Sequence, residues 1–178
     1  MSSEWDYFIR AQRGDELAWR VLIGQHQTRL TALALFITGS ATAAEDVVQE
    51  TFLRAISAKI KSYTGTVNGY LGTIAYRLAL KEVKREKRNV GFDGLTLTDR
   101  EYTQLDSLLL DERDHVVSEA INSLDEMHRA VLLLRFYGGC SYEEIAELLQ
   151  IAIGTVKSRL FHAVKSCREI LQEKGISR

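Results

Sequence analysis

The sequence predicts an all-α fold of two small helical domains joined by a flexible linker. Three observations carry that expectation. Apolar residues recur at intervals of three and four through nearly the whole chain, and no alternating strand pattern persists. There is no proline among the 178 residues, so breaks fall at glycines and capping residues. Across residues 91–112 the periodicity loosens, with Gly91, Gly94 and interspersed Thr and Asp, which predicts a connector with at most a short helix around Leu108 to Leu110. The expected domains are therefore 1–90 and 113–178, with the linker at 91–112.

In the first domain a helix runs through Trp5, Phe8 and Ile9 to about Arg13 and stops at Gly14. Asp15 is placed to cap a second helix whose inner positions include Leu17 or Ala18, Val21, Leu22, Leu30 and Leu33. Gly39-Ser40-Ala41-Thr42 breaks it. A third helix covers about Ala43 to Ile60. At about 100° per residue its Val47, Val48, Thr51, Phe52 and Ala55 point inward, while Asp46, Gln49, Glu50 and Ser57 point outward around Leu53. A leucine framed by carboxylates and an amide has the form of a docking patch, although single exposed leucines are common on ordinary surfaces.

A loop from Ser62 to Asn68 leads into a fourth helix reaching about Arg88. Leu71, Ala75, Leu78 and Ala79 form its buried side. Tyr70, Thr73, Arg77, Lys81, Lys84 and Arg88 form one continuous opposite stripe. Cations follow a phosphate backbone and an aromatic ring stacks on an unpaired base, with Tyr63 as a second candidate ring. The bland alternative is a solvated charged face, tempered by Glu82 and Glu86.

In the second domain helical order resumes near Val116, and Ile121 and Leu124 lead to a helix from Asp125 to Phe136 that stops at Gly138-Gly139. A helix-turn-helix follows. Ser141 and Glu144 make a capping box, and Ile145, Ala146 and Leu149 form the inner stripe of its first helix. Gly154 is expected to make the turn and Thr155 to cap the second helix. Val156, Leu160, Ala163 and Cys167 then face inward, and Lys157, Ser158, Phe161, His162 and Lys165 face outward. A ring among cations and a hydroxyl suits base edges and phosphates in a major groove; the plain reading is an amphipathic surface helix.

Bulk composition narrows the function classes. Hydrophobic content of 46% and charged content of 26% belong to a folded domain. No apolar run is long enough to span a membrane, and Met1 to Asp6 lacks the features of a secretory signal, so the chain is expected in the cytoplasm. Charges nearly cancel, 23 basic against 24 acidic, so cations must be concentrated locally. That favours a DNA reader delivered by a partner. Cys140, Cys167 and the four histidines lack metal-site spacing. Cys140 and Cys167 read as structural thiols. With no nucleophile–base pair and no phosphate-binding glycine loop, neither catalysis, nor a cofactor, nor a small-molecule substrate is expected.

Over almost its whole length the chain resembles the bacterial RNA polymerase sigma factors of the extracytoplasmic-function group. Gly14-Asp15 with Ala18-Trp19 and Leu22 is similar to the start of sigma region 2, and Ala44 to Ile56 to the stretch that binds the β′ coiled coil of core polymerase. Tyr70-Leu-Gly-Thr-Ile-Ala75 and its basic continuation resemble the part that melts and holds the −10 element, and Gly154 to Leu160 the region-4 reader of the −35 element. The resemblance implies core binding through Asp46, Gln49, Glu50 and Leu53. It implies −10 contacts from Tyr63, Tyr70, Thr73, Arg77, Lys81, Lys84 and Arg88, and −35 contacts from Thr155, Lys157, Ser158, Phe161, His162 and Lys165. Core RNA polymerase (β′ coiled coil and β flap), promoter DNA and an anti-sigma factor are the implied partners. Tyrosine stands at position 70 where many relatives carry tryptophan, and Arg77 and Lys81 where asparagine and aspartate are frequent, which bears on −10 preference. Two rival readings remain: a helix-turn-helix regulator that binds an operator alone, and an anti-sigma or adaptor protein with sigma-like surfaces.

Overall fold

The computed structural model describes residues 4–59, 65–89 and 112–176. Among these are eight helices and no strand: α1 (Glu4–Gln12), α2 (Glu16–Thr38), α3 (Ala41–Ser57), α4 (Val67–Asn89), α5 (Glu112–Asn122), α6 (Glu126–Phe136), α7 (Tyr142–Leu149) and α8 (Ile153–Glu173). None is long and apolar enough to cross a membrane. The expected Tyr63 ring and the connector, including its short helix at 108–110, lie outside the described residues.

Local chemistry sets the helix starts. Asp15 accepts from the amides of Leu17 and Ala18, each at 3.0 Å, and pairs with Arg10 at 2.6 Å. The Ala18 amide, reinforced by Arg10, holds its carboxyl below the usual range. Asp125 caps α6 in the same way through Met127 and His128. Gly39 ends α2 in the left-handed conformation at φ 65°, and Ser40 caps α3.

Helices α2, α3 and α4 pack on one another with α1 across them; α5, α6 and α7 pack on α8. Leu22, Leu30, Leu33, Phe52 and Leu71 are buried in the first group, Val131, Leu134, Ile145 and Val156 in the second. The inner face of α2 differs from expectation. Leu17 and Val21 are 70% and 37% exposed, while Ala18 and Leu22 are buried. A stripe through Ala18, Leu22, His26, Leu30 and Leu33 meets α1, α3 and α4, and that rotation turns Leu17 outward. Helix α3 ends at Ser57, short of the expected Ile60.

The helix-turn-helix closes earlier than expected. Gln150, not Gly154, takes the left-handed conformation, φ 55° and ψ 46°, and its amide returns to Ala146 and Glu147. Ile151 N–H also reaches the Ala146 carbonyl at 3.0 Å. Helix α8 therefore starts at Ile153 with Ala152 at its cap and no side-chain cap bond. Gly154 sits inside the first turn with open space around it, and Thr155 is an internal helical residue. The expected capping box is present: Glu144 N–H donates to Ser141 Oγ at 3.1 Å, and Ser141 N–H to Glu144 Oε2 at 2.7 Å.

The two helix groups are not separate in space. The turn after α6 lies against the start of α4, and one apolar core continues across both groups.

Candidate nucleic-acid and docking interfaces

On α8 the inward set Val156, Leu160 and Ala163 is buried, and Cys167 is half-buried with its thiol 3.7 Å from the Ala120 carbonyl. Burial pushes that thiol up. Lys157, Ser158, Phe161, His162 and Lys165 are all exposed, with Phe161 at 66%. Exposing that much phenyl ring costs hydrophobic free energy, so such a ring fits a surface that becomes covered. Lys157 lies 5.9 Å from the Tyr142 ring centroid, and Arg135 lies 5.2 Å from the same ring, so α7 helps hold the basic edge. Thr155 is half-buried.

A residue outside the expected set joins this face. The His128 ring stands edge-on to His162 at 6.3 Å and is anchored to Asp125 at 2.5 Å. The His128 amide, then its ring, holds the Asp125 carboxyl below the usual range. The adjacency joins α6 to α8 across residues 34 apart in number, so helical spacing gave no sign of it.

The outer face of α3 follows the expected pattern. Val47, Val48, Thr51, Phe52 and Ala55 are buried; Leu53 is 60% exposed beside exposed Asp46 and Gln49 and half-buried Glu50. Glu50 pairs with Arg54 at 2.6 Å one turn on. This face forms one wall of a groove whose other wall is α4, through Leu78, Lys81, Glu82 and Arg85. Lys81 thus borders the leucine patch, a proximity that spacing within α4 alone did not reveal.

The α4 stripe divides in two. Arg77, Lys81, Lys84 and Arg88 are exposed cations, as the spacing predicts. Tyr70 and Thr73 are half-buried, contrary to an open stripe. Tyr70 joins Trp5 and Phe8 in a ring cluster with centroids 5.3–5.9 Å apart, so α1 covers it from one side. The Thr73 hydroxyl lies 3.8 Å from Cys140 Sγ. That sulfur, 3.6 Å from the Gly69 carbonyl, is fully buried, and burial pushes the thiol up to about 11. Burial thus works against the thiolate on which redox chemistry depends.

Comparisons with known proteins bear on the family and the fold. The family model described as Sigma-70 region 2 matches residues 22–89, and that described as Sigma-70, region 4 matches residues 115–167. The ECF RNA polymerase sigma factor SigL of Mycobacterium tuberculosis is 37% identical over 169 residues, covering 89% of this chain and 92% of its own. The RNA polymerase sigma-H factor of Pseudomonas aeruginosa is 33% identical, covering 92% of this chain and 91% of its own. Among solved structures, CnrH in complex with the cytosolic domain of CnrY superposes with a TM-score of 0.65 at 20% identity, covering 97% of this chain and 99% of that one. The sigma factor RpoE in complex with the anti-sigma factor NepR from Bartonella quintana gives 0.60 at 22% identity, covering 90% and 98%. At these identities the superpositions speak for the fold alone.

Proposed function

The chain belongs to the sigma-70 family as an extracytoplasmic-function sigma factor, and from that premise we propose how its surfaces divide the work of promoter recognition. A sigma factor is a specificity subunit of transcription initiation, not an enzyme; the polymerase does the chemistry. The α3 face of Asp46, Gln49, Glu50 and Leu53 docks on the β′ coiled coil of core polymerase. Residues 1–90 then form the domain that engages the melted −10 element, with Arg77, Lys84 and Arg88 along the phosphates, Lys81 at the border with the docking groove, and Tyr70 and Thr73 at the base-holding end. Residues 113–178 place α8 in the −35 major groove through Lys157, Ser158, Phe161, His162 and Lys165, beside the β flap, and residues 91–112 link the two. The protein works in the cytoplasm, where its polymerase is, and an anti-sigma factor holds it inactive.

One observation carries this reading. The exposed apolar anchors Leu53 and Phe161 each stand among polar or charged neighbours, on two helices whose opposite faces pack into the core. Such anchors are the usual centres of interfaces. The test is reconstitution with bacterial core polymerase on a randomised promoter library, followed by sequencing of the transcribed templates. Enrichment of a −10 and −35 pair that depends on this chain is expected. Tight duplex binding without core, and no transcription with it, would move the reading to a stand-alone regulator.

A further inference from the structure

We propose that His128 is a positioning residue for −35 readout. Pinned by Asp125 on α6, its ring sets where His162 of α8 stands in the major groove, so discrimination at one base pair depends on a side chain one helix removed from the DNA. The inference rests on the assignment of the α8 face to the −35 duplex.

The pinning uses both oxygens of one carboxylate. Asp125 Oδ1 accepts from the Met127 and His128 amides, each at 3.0 Å, and Oδ2 lies 2.5 Å from His128 Nδ1. An ionised carboxylate only accepts, so Nδ1 carries the hydrogen and the ring is held in one orientation by a charge-assisted bond. That orientation is tied to α6 itself, whose Val131 and Leu132, one turn on, are buried. Because α6 packs on α8, the fixed ring is carried to the second helix.

There it meets His162. The two rings stand edge to face, with centroids 6.3 Å apart and planes at 86°. Phe161 also meets His162 edge-on, at 5.5 Å and 79°, but it is itself 66% exposed. Of the two neighbouring rings only His128 has a polar anchor. The His128 side chain is 28% exposed, whereas His162 is open to solvent, so His162 is the ring that reaches outward and His128 the one that backs it.

The contact supplies preorganisation. An exposed histidine on a helix samples several staggered rotamers, and a change of rotamer moves its ring nitrogens by about the spacing of neighbouring base pairs. Base-edge readout needs a donor or acceptor at a set place, because each base pair presents its own pattern in the major groove. Holding the ring before binding removes part of the ordering cost and confines its contact to one base pair. Lys157 and Lys165 need no such support, since flexible cations follow the phosphates of any sequence.

The experiment measures binding of holoenzyme, reconstituted with bacterial core polymerase, to fluorescein-labelled −35 duplexes in which each base pair is varied in turn. His162→Ala should abolish the preference at one base pair, roughly tenfold in the wild type, as for one base contact. His128→Ala keeps the α6 cap, whose bonds go to backbone amides. It should reduce that same preference to about twofold or less, leave the other positions unchanged, and add nothing in a His162→Ala background. Asp125→Asn retains a capping side chain but weakens the hold on the ring, and should fall between wild type and His128→Ala. In the free protein, nuclear Overhauser contacts between the two imidazoles should be present, and weaker in Asp125→Asn. Full preference in both His128→Ala and Asp125→Asn overturns the positioning and leaves His128 a partner of the cap alone. An equal loss from His128→Ala in the His162→Ala background also overturns it, because His128 would then act by itself. A His162→Ala holoenzyme that keeps every preference overturns the −35 assignment of His162, and the positioning falls with it; the silent His162 variant sets that failure apart from the others.

Discussion

Replacing Leu53 separates the docking role of α3 from its structural one. The side chain is 60% exposed, whereas its helix is anchored by buried Val48, Thr51, Phe52 and Ala55. Burying a whole leucine is worth about 1.5–3 kcal/mol, so covering the exposed three-fifths of this one contributes about 1–2 kcal/mol to association. Truncation by Leu53→Ala should then weaken core binding roughly 5- to 30-fold. Leu53→Glu goes further, because it adds a third carboxylate beside Asp46 and Glu50 and requires a charge to lose water at the interface. Co-elution with core polymerase on size exclusion should be lost, at a cost of roughly a hundredfold or more in Kd. Folding stability should stay within about 0.5 kcal/mol of wild type, as for an ordinary surface site. Fluorescence anisotropy with labelled protein reads the affinity, and urea denaturation reads the fold. Wild-type affinity in both variants would refute the docking assignment. Lost affinity together with a collapsed urea midpoint would refute the packing argument.

His26 is 3% exposed, its Nε2 has no hydrogen-bond partner among the described residues, and Glu4 Oε1 is 3.8 Å away. Burial pushes its pKa down, so the unfolded chain takes up a proton that the folded chain resists. Stability should therefore fall as pH drops from about 6.5 toward the lowered folded value, and His26→Gln should flatten that slope in urea titrations between about pH 7.5 and 5. Asp125→Ala removes the α6 cap and the anchor of His128, and should cost about 1 kcal/mol near neutral pH by chemical denaturation. Because the Asp125 carboxyl is held low, its contribution is complete above the ordinary carboxylate range and fades as pH falls through the folded value, so wild type and variant should converge in acid. Lys157→Ala and Lys165→Ala should each weaken holoenzyme binding to −35 duplex on every sequence and reduce the salt slope by about one; an unchanged slope would remove that lysine from the phosphate contacts.

Much of this molecule was legible because its signals are local. The Asp15 and Ser141 caps, the α3 faces and the exposed set on α8 all depend on residues within a turn or two of each other, where helical geometry alone decides direction. Two local readings still missed. Gly154 was the obvious turn residue, yet the left-handed position fell to Gln150, because α7 closes by returning amides to Ala146 and Glu147 before the chain reaches the glycine. Leu17 and Val21 fitted an apolar stripe as well as Ala18 and Leu22 did, and only the neighbouring helices selected between them.

By itself, then, the sequence determined the helices, the Asp15 and Ser141 caps, the sided character of α3 and α8, and the family. The tertiary structure alone decided which part of the α4 stripe is open. Thr73 looks outward by periodicity, but it meets Cys140, 67 positions away, while Tyr70 packs under Trp5 and Phe8. It also decided that Lys81 stands beside Leu53 and His128 beside His162. The physical reason is the range of the interactions. A cap or an amphipathic stripe is a property of one helix, whereas exposure is a property of whatever other segment packs against it, and spacing along one helix carries no record of that partner.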